Sequence, residues 1–180
     1  MTAAKRNLAL PKVYGLLETG PVLLLTTAHK GASNVMTMSW HTMMEFEPPL
    51  VGCVVSDNDF SFTALNSTRQ CVLNIPTVEL ARQVVGCGNT SGNRVDKFAR
   101  FGLTRVPAAL VEAPLIAECY ANLECRVVDT RLKNRYNFFV LEVVKAWVDP
   151  GCKQPRTLHH RGYGAFMVAG ETIKLVSRMR

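Results

Sequence analysis

The 180-residue chain is 48% hydrophobic and 19% charged, with a formal charge of +7 at neutral pH. That balance excludes disordered and collagen-like classes, and a single domain spanning 1–180 accounts for the length. The longest apolar stretches, such as Val22-Leu23-Leu24-Leu25, fall far short of the roughly 20 residues of a membrane-spanning helix. Lys5 and Arg6 have no apolar core behind them, so no secretory signal is read and a cytoplasmic address is expected.

Gly20-Pro21 breaks the chain before a strand predicted over Val22 to Ala28. His29-Lys30-Gly31-Ala32 reads as a turn, with Gly31 free to take a positive φ. A second strand runs from Ser33 to about Trp40. On it Asn34, Met36, Met38 and Trp40 share one face, and Val35, Thr37 and Ser39 the other. Glu45 to Pro49 reads as a loop closed by Pro48-Pro49, and Leu50 to Val55 as a buried strand.

Ser56-Asp57-Asn58-Asp59 is rich in capping side chains, so a short helix is expected from Phe60 to Leu65. Gln70 to Ile75 is a strand stopped by Pro76. Thr77 is placed to cap a helix from Val78 to about Cys87. Gly86 to Gly92 reads as loop, and Asp96 to Phe101 as a helical turn. From Ala117 to Val127 apolar residues alternate with polar ones, the period of a half-buried strand that carries Cys119 and Cys125 inward. Arg131 to Tyr136 is a turn before a long strand, Asn137 to Val148. Its Phe138 to Leu141 are apolar on both faces, which calls for cover by a helix or a second subunit. Many short strands with few short helices and no βα alternation predict a mainly β fold, a closed or partly open antiparallel barrel.

The cations are scattered. The densest group, Arg131, Lys133 and Arg135, reads as a solvated turn, so neither nucleic acid nor membrane is expected as a partner. A net positive field still favours anionic ligands, phosphorylated cofactors included. None of the six cysteines forms a C-x-x-C pair, and His159 and His160, adjacent on a strand, point to opposite faces and chelate poorly. No metal site is expected. Gly86 to Gly92 is no dinucleotide fingerprint: its third glycine comes one position late, after a helix and not a strand. No P-loop, H-E-x-x-H or G-x-S-x-G occurs, and nothing local arranges a catalytic triad.

Two separated segments carry more. Asn34-Val35-Met36-Thr37-Met38-Ser39-Trp40 is followed by Pro48-Pro49. Asn74-Ile75-Pro76 is followed by Ser91-Gly92-Asn93-Arg94-Val95-Asp96-Lys97-Phe98. In this order they resemble the flavin reductase-like family, in particular its flavoredoxin branch. Pro21-Val22, the Glu118 to Cys125 strand and Arg161-Gly162-Tyr163-Gly164 extend the resemblance over a core of about 20–165.

The resemblance implies an antiparallel, Greek-key-type split β-barrel that binds FMN non-covalently. It also implies a homodimer with each flavin near the subunit interface. It implies an oxidoreductase passing electrons from NAD(P)H, a transient co-substrate, or from a redox-protein donor, through FMN to a flavin, ferric or protein acceptor. A flavoredoxin-like electron carrier without its own nicotinamide site is the alternative. Because the flavin carries the redox chemistry, no catalytic side chain is expected.

By resemblance, Asn34, Met36, Thr37, Ser39 and Trp40 line the flavin, although Trp40 also reads as a buried aromatic anchor and Met36 as core. Ser56, Asn58 and Phe62 belong to the phosphate-side loop, where Asp57 and Asp59 stand in place of the basic residue of many relatives. Those two carboxylates are expected to point outward as caps. Asn74 and Ile75 close a strand near the flavin edge. Ser91, Gly92, Asp96 and Lys97 form the phosphate anchor, with Lys97 its cation; a surface Lys97–Asp96 pair is the plainer reading.

Overall fold

The computed structural model describes residues 4–178. Its strands are β1 (Arg6–Leu8), β2 (Leu23–His29), β3 (Ala32–Met38), β4 (His41–Phe46), β5 (Pro49–Val54), β6 (Gln70–Ile75), β7 (Arg105–Val106), β8 (Leu115–Ile116), β9 (Ala121–Asp129), β10 (Phe138–Val148), β11 (Leu158–Gly162) and β12 (Ala165–Val168). The helices are α1 (Tyr14–Leu17), α2 (Phe60–Thr68), α3 (Ala81–Gly88), α4 (Lys97–Phe101) and α5 (Lys133–Tyr136).

Eight strands form one antiparallel sheet in the order β3-β2-β6-β9-β10-β5-β4, with β1 added along β10. The two strands at the ends of this path, β3 and β4, are consecutive in the chain and joined only by Ser39-Trp40. The sheet therefore rolls up until its edges meet at that corner without pairing, a barrel left open along one seam. Trp40 O accepts from Val54 N at 3.0 Å, and the His41 Nε2–H donates to Pro21 O at 2.7 Å, tying the corner to the entry of β2.

Alternation on each strand fills the barrel. Leu23 and Leu25, Cys71, Leu73 and Ile75, Leu123 and Cys125, Val51 and Cys53, and Phe139, Leu141 and Val143 form one core. A register shift between Val143 and Lys145 changes the parity of β10, so Ala146 and Val148 face inward beyond it. The outer face of β2 and β3 builds a second core: Leu24 and Val35 pack with Val84, Cys87, Phe98, Leu103 and Leu158.

The expected hairpin turn holds, and both of its central residues are left-handed, Lys30 at φ 50° and Gly31 at 78°, the geometry a two-residue turn between twisted strands needs. Several boundaries differ from expectation. β4 occupies part of the region read as connection, because a mostly exposed edge strand need not alternate; Pro49 opens β5 as its first residue. Helix α3 runs through Gly88, beyond the expected loop start. Gly86 lies against Phe101, where a Cβ would meet the ring at 2.5 Å, so glycine there permits close packing instead of breaking the helix. Residues 117–120 are not strand, and Cys119 joins the second core, away from Cys125.

The polar face of β9 is covered at Asn122 and Glu124, while Arg126 farther along it stays exposed. Glu124 is fully buried, accepting from Ala109 N at 3.0 Å, Leu110 N at 2.6 Å and Trp147 Nε1 at 2.8 Å. Its carboxylate pins the 104–116 segment over the sheet. The outer side chains of Phe138 and Val140 are half-buried beside Met44 and Leu132. All six cysteines are free; five are buried, and Cys71 and Cys125 are paired residues across β6 and β9. Among the described residues no helix is long and apolar enough to cross a membrane.

Candidate functional site

An edge strand leaves alternate backbone N–H and C=O groups unpaired, and β3 has such an edge. The walls beside it are the start of α2 and, opposite, the end of α3 with the turn that follows. Asn34, Met36 and Thr37 of β3, residues 58–61, residues 87–92 and Lys97 enclose a groove of about 220 Å³. It continues into a shallower hollow of about 240 Å³ at the barrel corner, where Met38, Ser39, Trp40, Val54 and Ser56 join Met36, Thr37 and Asp59.

Local hydrogen bonds hold the walls. Asn34 Nδ2 donates to Ser61 Oγ at 2.8 Å, fastening β3 to α2. Thr37 Oγ1 donates to Val84 O at 2.5 Å, fastening it to α3. The loop before α2 is knotted by its own polar groups. Asp59 Oδ2 accepts from Ser56 N at 3.1 Å, and Ser56 Oγ accepts from Asn58 N at 3.2 Å. On the far wall Gly92 approaches Asn34 and Phe60 so closely that any Cβ would collide with both.

Lys97 is the first residue of α4, placed there by the Asp96 cap, whose carboxylate accepts from Phe98 N at 3.0 Å and Ala99 N at 3.4 Å. Its side chain is buried, and Nζ donates to Cys87 O at 2.8 Å. Lys97 forms no ion pair among the described residues. Burial lowers its pKa from the ordinary value, with the nearby Cys87 and Asp59 acting the other way. The Cys87 thiol is itself pushed up to about 11, chiefly by burial, so at neutral pH it does not neutralise the ammonium. A desolvated cation without a carboxylate partner, beside a glycine-lined turn, suits an anion able to take several donors, such as a phosphate monoester.

The structure brings seven of the expected residues, Asn34, Met36, Thr37, Asn58, Ser91, Gly92 and Lys97, to the groove. Ser39, Trp40 and Ser56 line the adjoining hollow. Four do not reach it. Phe62 turns into the barrel against Phe139, ring centroids 5.5 Å apart. Ile75 is core. Asn74 is buried, its Nδ2 donating to Leu24 O at 2.8 Å and its Oδ1 accepting from Ile116 N at 2.9 Å and Asn122 Nδ2 at 2.7 Å. Asp96 lies outside, capping α4 and pairing with Arg105 at 2.6 Å, not with Lys97. Trp40 is no buried anchor: it is 72% exposed. Asp59, expected to point outward, lines the groove, whereas Asp57 accepts from Asn137 Nδ2 at 3.3 Å. The sequence reading missed Phe60, Ser61, and the Cys87 to Thr90 stretch. For the Cys87 to Thr90 stretch the signal was the run of small residues Gly86 to Ser91, which permits close approach.

Residues 17–167 match the family described as Flavin reductase like domain. An uncharacterised protein of Archaeoglobus fulgidus is 34% identical over 111 residues, 62% of this chain and 63% of that protein, a little under two thirds of its length. The reductase component of 4-nitrophenol 4-monooxygenase/4-nitrocatechol 2-monooxygenase from Rhodococcus opacus is 27% identical over 86% of this chain and 78% of its own. Among solved structures, an FMN-binding domain of a flavin reductase-like enzyme from Shewanella baltica superposes with a TM-score of 0.90 at 25% identity, covering 98% of this chain and 100% of that one. Flavoredoxin from Methanosarcina acetivorans superposes at 0.74 with 27% identity, covering 88% and 89%.

Proposed function

This chain belongs to the flavin reductase-like family, whose split barrel it shares, and on that premise we propose that it binds FMN non-covalently in the groove along β3 and acts as an FMN-dependent oxidoreductase. The proposed donor is NAD(P)H, and the proposed acceptor a flavin, a ferric complex or a redox protein. The observation that carries the reading is the buried, unpaired Lys97 ammonium beside the Ser91-Gly92 turn.

The residues present fit the cofactor. Lys97 and the backbone of Ser91 and Gly92 hold the phosphate, in a cradle that a side chain at position 92 would fill. Asn58 and Ser61 add neutral donors. At the corner, Met36 and the exposed indole of Trp40 offer an apolar and aromatic surface to the ring, beside Ser39. The free backbone edge of β3 serves the ring's polar rim. When bound, FMN supplies hydride acceptance and electron transfer, chemistry that side chains do not provide. The exposed indole of Trp40 supports a homodimer in which a second copy covers this corner, a state that sedimentation measures.

The test is reconstitution. The purified protein should take up one FMN per chain with quenched flavin fluorescence, and NADH or NADPH should then bleach the oxidised-flavin band. Absence of FMN uptake would overturn the reading. Likeness to the Methanosarcina flavoredoxin supports a second reading, an electron carrier without a nicotinamide site. Bleaching by a reduced redox protein, but by neither nicotinamide nucleotide, would select it.

A further inference from the structure

A second cavity, of about 410 Å³, opens against the Thr37 and Ser39 side of β3, between α3 and the β11–β12 hairpin. It meets the first groove at Thr37, Gly88 and Asn89, so a molecule in one would neighbour a molecule in the other. We propose that this cavity is a binding site for a neutral, planar quinone, placed beside the proposed cofactor; the inference rests on the proposed FMN groove.

Three observations support that class of ligand. First, no Lys, Arg, Asp or Glu lines the cavity, and its one imidazole, His160, is packed on Phe166, so a charged ligand would meet no permanent opposite charge there. Second, Val22, Val84 and Val85 give an aliphatic wall, and Phe166, with His160 packed on it at 5.3 Å, gives an aromatic one. Such walls suit a flat conjugated ring. Third, Ser39 and Asn89 enter the cavity with side chains that make no hydrogen bond among the described residues. Thr37, by contrast, is committed to Val84 O. A hydroxyl and an amide, both able to donate, match the two carbonyl oxygens of a quinone.

The hairpin tip adds an exposed aromatic side chain at the rim. Gly162, Tyr163 and Gly164 are all left-handed, at φ 102°, 48° and 78°, and the Tyr163 side chain is fully exposed at the cavity rim. A tyrosine held at positive φ is a conformation seldom adopted without a purpose. Here it sets a ring where it can close over a bound molecule. A quinone reduced in this site takes up two electrons and two protons, its C=O groups becoming C–OH. If FMN occupies the adjoining groove, its reduced form would supply both electrons and one proton as a hydride, with the second proton coming from solvent, and NAD(P)H would supply the hydride that regenerates it.

The experiment is calorimetric titration of the FMN-loaded protein with 1,4-naphthoquinone, compared with its 2-sulfonate. Naphthoquinone should bind, and the anionic sulfonate about tenfold more weakly or worse. Phe166→Ala and Val85→Trp, the latter filling the cavity from an exposed helix face, should each weaken naphthoquinone binding about tenfold while FMN affinity stays within about twofold. Equal affinity for the two probes, or no change in either folded variant, would overturn the proposal. So would FMN affinity falling in step in both variants, which would make the cavity part of the cofactor site. If the wild-type protein takes up no FMN, the cofactor reading fails by itself; naphthoquinone titration of that flavin-free protein, with the same variants, still decides the cavity.

Discussion

Gly92 stands so close to Asn34 that a Cβ on it would lie 2.1 Å from Asn34 Oδ1. Asn34 cannot simply swing away, because its Nδ2 is bonded to Ser61 Oγ at 2.8 Å. The turn, the edge strand and the start of α2 are thus locked through one contact that only glycine permits. Gly92→Ala should break it. FMN affinity is expected to fall about tenfold or more, with a stability loss of about 1–3 kcal/mol from overpacking. Flavin fluorescence titration and thermal melting measure the two; unchanged affinity in a folded variant would remove the turn from the site.

The pH dependence of binding should come from Lys97. Burial holds its pKa below the ordinary 10.5. Between the folded value and 10.5 the unfolded chain binds more protons, so the stability of the ligand-free protein rises with pH across that window. A phosphate pairs with the protonated ammonium, so FMN affinity runs the other way, falling as pH climbs through the folded value. Lys97→Met should weaken FMN about 10- to 100-fold at neutral pH and abolish that alkaline decline. Titrations from neutrality to pH 10.5 on both proteins check it, and an identical slope in the variant would count against Lys97.

Trp40 separates binding from folding. At 72% exposure it carries little of the core, so Trp40→Ala should change stability by less than about 0.5 kcal/mol. Its place in the corner hollow predicts an altered flavin spectrum or weaker retention. A large drop in melting temperature would show that it is packing after all.

Glu124 makes the opposite prediction. Its buried carboxylate serves three donors, and Glu124→Ala leaves Ala109 N, Leu110 N and Trp147 Nε1 without it. A loss of about 2–5 kcal/mol is expected, with faster amide exchange confined to the 104–116 segment. Unchanged exchange at Ala109 and Leu110 would contradict the role of this contact.

The sheet was legible because alternation is a local property. Leu123, Cys125 and Val127 announce the inner face of β9 without reference to any neighbour. Gly31 and Pro76 likewise mark a turn and a strand end through their own backbone restrictions. The ordered motifs around Asn34 to Trp40 and Ser91 to Lys97 marked the family and two stretches of the groove, but not its α2 wall or the Cys87 to Thr90 turn. Burial and edge position are different, since they depend on which distant segment arrives. Asn122 and Glu124 look solvent-facing until residues 104–116 cross over them, and Asn74 looks available until Ile116 and Asn122 consume its amide. Nothing local distinguishes Asp96, bound outward to Arg105, from Lys97, turned inward to Cys87 O. Sequence alone therefore determined β2, β3, β5, β6, β9 and β10, their inward faces and the kinship, but not β4 or the short strands. The folded chain decided that β3 and β4 are the lips of the barrel that do not pair with each other, and that the Lys97 ammonium lies desolvated against the end of α3, because solvation is set by all neighbours at once.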